Sequence, residues 1–362
     1  MTTRAMASEY LEWAKMCSAA KYNLATSGIM GYPLAELPVK VEELEINGPT
    51  QYGYAPLQER LARLCGVSPE CVVEAAGTAM ANHLAMAAIV EPGDDVLIEQ
   101  PTYGPIPEVA AYLGANLLRF ARREEDEWQI DPEDVRRAIT PKTRLICLTN
   151  LHNPTGALTD EATLTRLGEM AQGVGARVLV DEVYLPMVYG KSVRSSFHLG
   201  ETFVVTTSLT KAYGLSGLRC GWILAEPQLA HRMWRLNDLF AATPVNVGRQ
   251  LSVIALDHLE KIDARARQIL DANRASLNNF FRARTDLGGF RSQWGTVSFP
   301  RLLRGSVDAF CELLRARYET SVVPGRFFEM PDHFRIGMGG DGPMTAEGLQ
   351  RLGAALDEYG EG

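Results

Sequence analysis

The sequence contains few cysteines and histidines, and neither is spaced as a disulfide framework or a metal site requires. The six cysteines of the 362-residue chain include no C-x-x-C pair, and the six histidines include no H-x-x-x-H pair. Small disulfide-stabilised domains are dense in cysteine, and zinc ligands follow short, fixed spacings. We therefore expect reduced, mostly buried thiols and no metal site.

Long apolar runs and clustered basic charge are also absent. The longest apolar stretches, such as Leu84–Val90, are far shorter than the ~18 residues of a membrane span. Glu9, Glu12 and Lys15 interrupt the N-terminus where a signal peptide would need an apolar core. The net charge of −8, spread along the chain, disfavours nucleic acid and anionic membranes as partners. We expect a cytoplasmic protein that binds neither.

The middle of the chain alternates between two patterns. Short apolar or β-branched runs predict strands at Cys71–Glu74, Asp95–Glu99, Ala115–Phe120, Arg144–Thr149, Arg177–Val180, Thr202–Thr207 and Gly221–Leu224. Segments of helical period predict helices at Ala79–Val90, Pro105–Leu113, Pro132–Ala138, Asp160–Gly173 and Pro227–Asp238. Such alternation is typical of βαβ units, so we predict an α/β fold with a mostly parallel sheet covered on both faces.

The pattern changes after about Thr243. A long helical stretch at Val247–Arg284 precedes strand signals at Thr296–Phe299 and His333–Ile336 and a closing helix at Thr345–Tyr359. We predict a large domain over residues 42–245. Residues 1–41 and 246–362 are expected to form a smaller α+β domain.

Polar residues follow three of the predicted strands, where ligands bind in open parallel sheets. Asn153 opens an Asn-Pro-Thr-Gly turn, Asp181 and Tyr184 follow the next strand, and Lys211 lies in a loop rich in Ser and Gly. Each also has a structural explanation, since Asn-Pro forms turns, Asp caps helices and lysine is common on surface loops. Lys211 is nevertheless a candidate Schiff-base nucleophile, because burial lowers the pKa of an amine.

Two glycine-containing segments could bind a phosphate group, and only the first is kept as a candidate. Gly77, Thr78 and Ala79 precede or begin a predicted helix, which favours either an anion site or a simple N-cap. The segment Gly337–Gly342 fits the dinucleotide fingerprint G-x-G-x-x-G, but the chain ends 20 residues later. That is too short for the required helix, strand and acidic residue, so we predict a glycine-rich turn.

The ordered set formed by Asn153-Pro-Thr-Gly, Asp181-x-x-Tyr184, Ser208-x-x-Lys211 and Arg219 resembles the fold-type I, pyridoxal-phosphate-dependent aminotransferases of class I/II. The resemblance runs from about Gln51 to Gly337. It implies that pyridoxal 5′-phosphate is the cofactor and that residues 42–245 form its binding domain.

The resemblance also implies a role for each matching residue. Lys211 is similar to the lysine that holds the cofactor as an aldimine and moves the proton between the substrate Cα and cofactor C4′. Asp181 is similar to the carboxylate that keeps the pyridine nitrogen protonated, which makes the ring an electron sink. Asn153 and Tyr184 match the pair that hydrogen-bonds the phenolic oxygen, and Tyr103 matches the aromatic that stacks on the ring.

The resemblance further implies the remaining contacts. The cofactor phosphate is expected to bind Gly77, Thr78, Ala79, Ser208 and Arg219.

Three further positions concern the substrate and a second subunit. Arg335, in His-Phe-Arg-Ile-Gly, resembles the arginine that binds the substrate α-carboxylate, with Asn153 and Gly28 also expected at the substrate. Tyr52 is similar to the tyrosine that reaches the phosphate of the neighbouring subunit, which implies a homodimer with shared active sites. His152 and Thr210 depart from the common residues before Asn153 and Lys211.

The resemblance leaves the reaction open. It implies an aminotransferase acting on an α-amino acid and a 2-oxo acid, but lyases, decarboxylases, racemases and cyclases share its residues. The segment Ser27–Pro33 has a likeness to cyclases of the capreomycidine-synthase type. A regulatory module with a DNA-binding domain is disfavoured, because only ~50 residues precede the cofactor domain and they lack a basic helix-turn-helix signature.

The side chain of the substrate is not identified by the sequence. A dicarboxylate would need a second cation, for which Arg249 and Arg326 are candidates.

Overall fold

The computed structural model describes residues 6–361, and the α-helices within that range begin and end where the chain carries local signals. Asp160 caps a helix by accepting a hydrogen bond from the Thr163 amide, and Gly66 ends another in the left-handed region. The helices are α1 Glu9–Met16, α2 Ala55–Cys65, α3 Gly77–Ile89, α4 Pro105–Tyr112, α5 Pro132–Ala138, α6 Glu161–Gly173, α7 Pro227–Asn237, α8 Asn246–Asp257, α9 Leu259–Arg282, α10 Val307–Tyr318 and α11 Gly342–Glu361.

The strands divide into seven that form one large sheet and several of two to four residues. They are β1 Tyr22–Asn23, β2 Val72–Ala76, β3 Asp95–Gln100, β4 Asn116–Ala121, β5 Thr143–Thr149, β6 Arg177–Asp181, β7 Phe203–Ser208, β8 Cys220–Leu224, β9 Leu287–Gly288, β10 Val297–Ser298, β11 Arg301–Leu302, β12 Thr320–Ser321, β13 Val323–Pro324 and β14 Phe334–Gly337.

The large sheet has the order β2-β8-β7-β6-β5-β3-β4, and only β8 runs antiparallel to its neighbours. Successive residues of a strand pack into different cores: Val178 and Val180 into one hydrophobic cluster, Leu179 into the other. Helices cover both faces, which is why the central strands are apolar throughout. The α/β class and the mostly parallel sheet predicted from the sequence are confirmed.

One of the smaller sheets joins the N-terminal part of the chain to the C-terminal part. Strand β1 pairs in parallel with β12, and β14 lies between β10 and β13. The helical stretch predicted at Val247–Arg284 is interrupted at His258, between α8 and α9. Helices α1, α2 and α10 and most of the two-residue strands were not predicted. A strand of two residues is too short to show an alternating pattern. The domain boundaries stay a prediction.

The glycine-rich segment after β14 forms a turn that brings the N-terminal segment close. A Cβ at Gly337 would collide with the Thr26 carbonyl, and one at Gly339 with the Gly28 carbonyl. These glycines therefore allow close backbone packing of the N-terminal segment, whose Ser27 lies beside Lys211, three residues after β7. Within residues 6–361, no helix is both long and apolar enough to cross a membrane.

Candidate active site

A cleft of about 300 Å³ lies where β5, β6 and β7 end and α3 begins. These three strands are neighbours, with Thr149 opposite Asp181 and Asp181 opposite Thr206. Parallel strands end at one edge, so residues far apart in sequence converge there. The predicted site residues that line the cleft are Thr78, Ala79, Tyr103, Asn153, Asp181, Tyr184, Lys211 and Arg219.

Lys211 follows β7 and points its amine into this cleft. Its Nζ donates to Ser27 Oγ at 3.1 Å. Burial, with the positive charge of Arg335 and Arg219, lowers the pKa of Lys211 to about 8, while Asp181 opposes the shift. A larger fraction of the amine is therefore neutral near pH 7.5 than for an ordinary lysine, and a neutral amine is the nucleophilic form.

Asp181 ends β6 and is held by donors to both of its oxygens. Asn82 Nδ2 donates to Oδ2 at 2.8 Å, and the Val183 amide donates to Oδ1 at 3.1 Å. Burial raises the pKa of Asp181 to about 6, against the lowering effect of these hydrogen bonds and of Lys211. The group is thus mostly ionised at neutral pH, as a partner for a protonated ring nitrogen must be.

Sequence reasoning missed Asn82, which orients that carboxylate. Asn82 lies on α3 four residues after Thr78, so the two side chains share one face of the helix. Its amide oxygen accepts a hydrogen bond from the Thr206 hydroxyl, which fixes the amide nitrogen toward Asp181. The i, i+4 relation to Thr78 was the available signal.

Arg335 lies on β14, directly behind the cleft residues Asn153 and Tyr10. Its Nη1 donates to Asn153 Oδ1 at 3.1 Å, and its Nη2 donates to Tyr10 Oη at 2.9 Å and to the Ala25 carbonyl at 3.2 Å. The guanidinium is buried, and its Nε has no partner among the described residues. An unpaired buried donor is costly, so Arg335 is suited to an incoming anion.

The position of Asn153 is fixed by a fully buried ion pair. Glu99 and Arg122 lie 2.8 Å apart, and neither side chain has exposed surface. Glu99 Oε1 accepts hydrogen bonds from the amide and the hydroxyl of Thr149, both at 2.7 Å. The Thr149 hydroxyl in turn accepts from the Asn153 amide at 2.9 Å. The ion pair therefore holds the turn that carries Asn153.

His152, the departure noted in the sequence, braces the same turn. Its Nδ1 lies 2.7 Å from Thr155 Oγ1, and its Nε2 lies 2.9 Å from the Pro101 carbonyl. Burial and the charge of Arg122 hold the pKa of His152 well below its usual value, so the ring is neutral. Its role in the structure is to join two loops at the cleft.

The start of α3 forms a cradle for an anion. Gly77 has φ +79°, and a Cβ there would collide with the Arg219 guanidinium. Thr78 Oγ1 donates to Ser208 Oγ at 2.8 Å, and Arg219 Nη2 donates to the Ala76 carbonyl at 2.8 Å. Free amides at a helix N-terminus, two hydroxyls and an arginine together suit a phosphate.

Two aromatic hydroxyls complete the cleft wall. Burial raises the pKa of Tyr184 to about 12 and raises that of Tyr103 further, so both stay protonated donors. The Tyr103 ring meets Tyr10 edge-on, with the ring centroids 5.6 Å apart.

Two of the predicted site residues, Tyr52 and Gly28, do not line the cleft. Tyr52 is 46% exposed, donates to Asp238 Oδ2 at 2.7 Å and stacks on Trp234, so it does not line the cleft of its own chain. Gly28 lies against Lys211: a Cβ there would be 3.3 Å from Lys211 Cδ. Gly28 thus leaves room for the lysine side chain.

Comparisons with known proteins agree with this architecture. The model of the family "Aminotransferase class I and II" matches residues 43–352. Capreomycidine synthase of Streptomyces vinaceus is 28% identical over 357 residues, covering 95% of this chain and 92% of that protein. The aspartate aminotransferase of Sulfolobus acidocaldarius is 24% identical, covering 85% of this chain and 82% of that protein.

Solved structures give the same fold. A PLP-dependent aminotransferase from Streptococcus suis superposes with a TM-score of 0.93 at 28% identity, covering 99% of each chain. The PLP-dependent cyclase OrfR has a TM-score of 0.90 at 22% identity, also over 99% of each chain.

The geometry fits the cofactor of these proteins. The cradle at Gly77 has the hydrogen-bond donors and the positive charge that suit a phosphate, and Asp181 and Lys211 line the adjoining cleft. The chain belongs to the aminotransferase class I and II family, and it is a pyridoxal-phosphate-dependent enzyme of fold type I.

Proposed function

We propose that this enzyme moves an amino group between an α-amino acid and a 2-oxo acid. The observation that carries the proposal is the convergence of Lys211 and Asp181 on one cleft, with the buried cation of Arg335 directly behind it. An amine, a carboxylate and a guanidinium are the groups needed for the cofactor aldehyde, the ring nitrogen and the substrate carboxylate.

Each of these residues has a defined task at a stated atom. Bound pyridoxal phosphate supplies an electron sink for the bonds at the substrate Cα. Lys211 Nζ would take the proton from the substrate Cα and deliver it to cofactor C4′. The pKa of Lys211, about 8, permits this proton transfer near neutral pH. Asp181 keeps the ring nitrogen protonated, and Arg335 orients the α-carboxylate.

The remaining contacts bind the cofactor in one orientation. Asn153 and Tyr184 serve its phenolic oxygen, and Tyr103 packs on the ring. Thr78, Ser208 and Arg219, with the amides of residues 77–79, bind its phosphate.

We also propose a homodimer in which Tyr52 reaches a phosphate bound by the partner subunit. Its support is an exposed apolar surface that includes Leu239, Phe240 and Val245, which are 50–78% exposed. Exposed apolar side chains of this number favour a protein interface. Mixing a Tyr52→Phe chain with a Lys211→Ala chain and finding activity above either parent would support shared sites.

A second candidate reaction keeps the cofactor and changes the outcome. The relatives named capreomycidine synthase and PLP-dependent cyclase match nearly the whole chain, which favours a cyclisation at the substrate side chain as the alternative. Both reactions would use Lys211, Asp181 and Arg335 in the same way at Cα. They differ in whether the amino group leaves the substrate.

Absorption spectroscopy tests the proposal. The holoenzyme should show a cofactor band that Lys211→Ala abolishes or shifts. An amino-acid donor should convert it to the amine form with one equivalent of 2-oxo acid, and a 2-oxo acid should restore the original band. A band that shifts with a donor while the amino group stays on the product would replace transamination with the cyclase alternative. Retained turnover in Lys211→Ala would contradict both.

A further inference from the structure

Helix α1 forms part of the cleft wall with apolar and aromatic side chains. Tyr10, Leu11, Trp13 and Ala14 all line the cleft. The charged residues of the same helix are exposed on its other side. This division follows from helical spacing, since positions three or four apart share a face. The helix therefore presents an uncharged surface to whatever occupies the cleft.

The helix is anchored to the groups expected to hold substrate. The Tyr10 hydroxyl accepts from Arg335 Nη2 at 2.9 Å. The Tyr10 ring contacts Tyr103 and Phe328 at centroid distances of 5.6 Å each. The position of the α1 wall is therefore fixed relative to the carboxylate-binding arginine.

An α-amino acid bound in this cleft must place three substituents of Cα: the carboxylate, the amino group and the side chain. When the carboxylate is directed to Arg335 and the amino group to Lys211, the third substituent of Cα has to occupy the remaining wall. Most of that wall is α1 together with Ser18, and the side chains of Ala25, Thr26, Val183 and Thr210 complete it. The substrate side chain would thus lie against Leu11 and Trp13.

The described residues of this chain offer no unused charge to a substrate side chain in the cleft. Among the described lining residues the one acid is Asp181, whose oxygens already accept from Asn82 and Val183. The cations that line it are Lys211 and Arg219, which the cofactor requires. A charged side chain here would lose water without gaining a partner, whereas an apolar one would gain contact with Trp13.

We propose that α1 is the selectivity element of the site and that it selects α-amino acids with uncharged, mainly apolar side chains. The inference rests on the proposed function in taking an α-amino acid as the substrate, with its carboxylate at Arg335 and its amino group at Lys211. It also places α1 in the enzyme–substrate contact, a role that no sequence motif indicated.

Equilibrium binding to the holoenzyme tests the selectivity. The ligands are 2-methyl derivatives of leucine, phenylalanine, aspartate and arginine, which have no Cα hydrogen and so cannot be transaminated. The change in cofactor absorption during titration gives each Kd. We expect the leucine or phenylalanine derivative to bind about 10- to 100-fold more tightly than the charged ones, the range for an unpaired buried charge. Equal or tighter binding of the aspartate or arginine derivative would overturn the proposal.

Variants of α1 assign the selectivity to this helix. Trp13→Ala should weaken the apolar ligands about tenfold, the effect of losing much of a buried aromatic contact, and leave the aspartate derivative within about twofold. Trp13→Phe should retain the preference, and Glu12→Ala, on the exposed side, should change nothing. An unchanged cofactor band and melting temperature show that each variant is folded. Equal weakening of all ligands by Trp13→Ala would overturn the assignment.

The two proposals fail separately. If the order of Kd values holds but no amino group reaches a 2-oxo acid, the selectivity stands and the proposed reaction falls. If aspartate or arginine is the preferred donor in rapid transamination, the reaction stands and the selectivity falls.

Discussion

The substitution Asp181→Asn should make the cofactor-free protein more stable while removing its function. Burial raises the pKa of Asp181 from 3.8 to about 6. Each pKa unit corresponds to about 1.4 kcal/mol, so ionising this carboxyl in the folded state costs about 3 kcal/mol. An amide of the same shape has no charge to desolvate, although it loses one of the two accepted hydrogen bonds, worth about 1 kcal/mol.

The sign of the pH dependence follows from linkage. Between pH 3.8 and 6 the native carboxyl binds more protons than the unfolded one. The unfolding free energy of the wild type therefore falls as pH rises through this window, and the contribution of this group is constant above it. The amide variant lacks this titration. Its stability relative to the wild type should grow by about 2 kcal/mol from pH 4 to pH 7 and then stay level.

Urea unfolding of both cofactor-free proteins at several pH values measures this difference directly. Asp134→Asn is the matched control. The hydrogen bond from Arg123 lowers the pKa of Asp134, so this carboxyl titrates below pH 4. The difference in unfolding free energy between Asp134→Asn and the wild type should therefore stay nearly level from pH 5 to 7. A level difference for Asp181→Asn over the same range would refute the reasoning. Added pyridoxal phosphate should stabilise the wild type more than the variant.

Two further substitutions test the supports of the site. Glu99→Ala leaves the Arg122 guanidinium buried without its carboxylate, so the unfolding free energy in urea should fall by about 3–5 kcal/mol. Gly77 has φ +79°, and Gly77→Ala places a methyl group against the Arg219 guanidinium, so fluorescence titration should show at least about tenfold weaker cofactor binding. The control Gly173→Ala, with open space around it, should bind the cofactor normally; weak binding there, or normal binding by Gly77→Ala, would contradict the argument.

The sequence predicted the large sheet well because each of its strands is an apolar run with a clear end. The observed β5 and β6, Thr143–Thr149 and Arg177–Asp181, differ from the predicted strands by a single residue. Candidate catalytic residues that follow a strand, such as Lys211, could be predicted because the strand ends are clear in the sequence. In a parallel sheet the topology brings those ends together.

What the sequence did not reveal depends on tertiary contacts. Tyr10 lies on α1, an eight-residue helix that the sequence did not predict. Its contact with Arg335 depends on β14, which brings that arginine beside the Tyr10 hydroxyl. Asn82 resembles any polar residue on a helix until β6 places Asp181 against it. A hydrogen bond between distant segments leaves no local pattern in either one.

The charges of the cleft connect the cofactor to the selectivity of the site. Among the described residues, the cleft is lined by one anion, Asp181, and two cations, Lys211 and Arg219, with a third cation, Arg335, directly behind Asn153 and Tyr10. In the proposed arrangement, a phosphate of charge near −2 would bind beside Arg219. The substrate carboxylate would then pair with Arg335, whose Nε has no partner among the described residues. Every charge on this chain's side of the cleft is then engaged, so a charged substrate side chain against α1 would be the one group without a counterion, which is the physical basis for expecting an uncharged one.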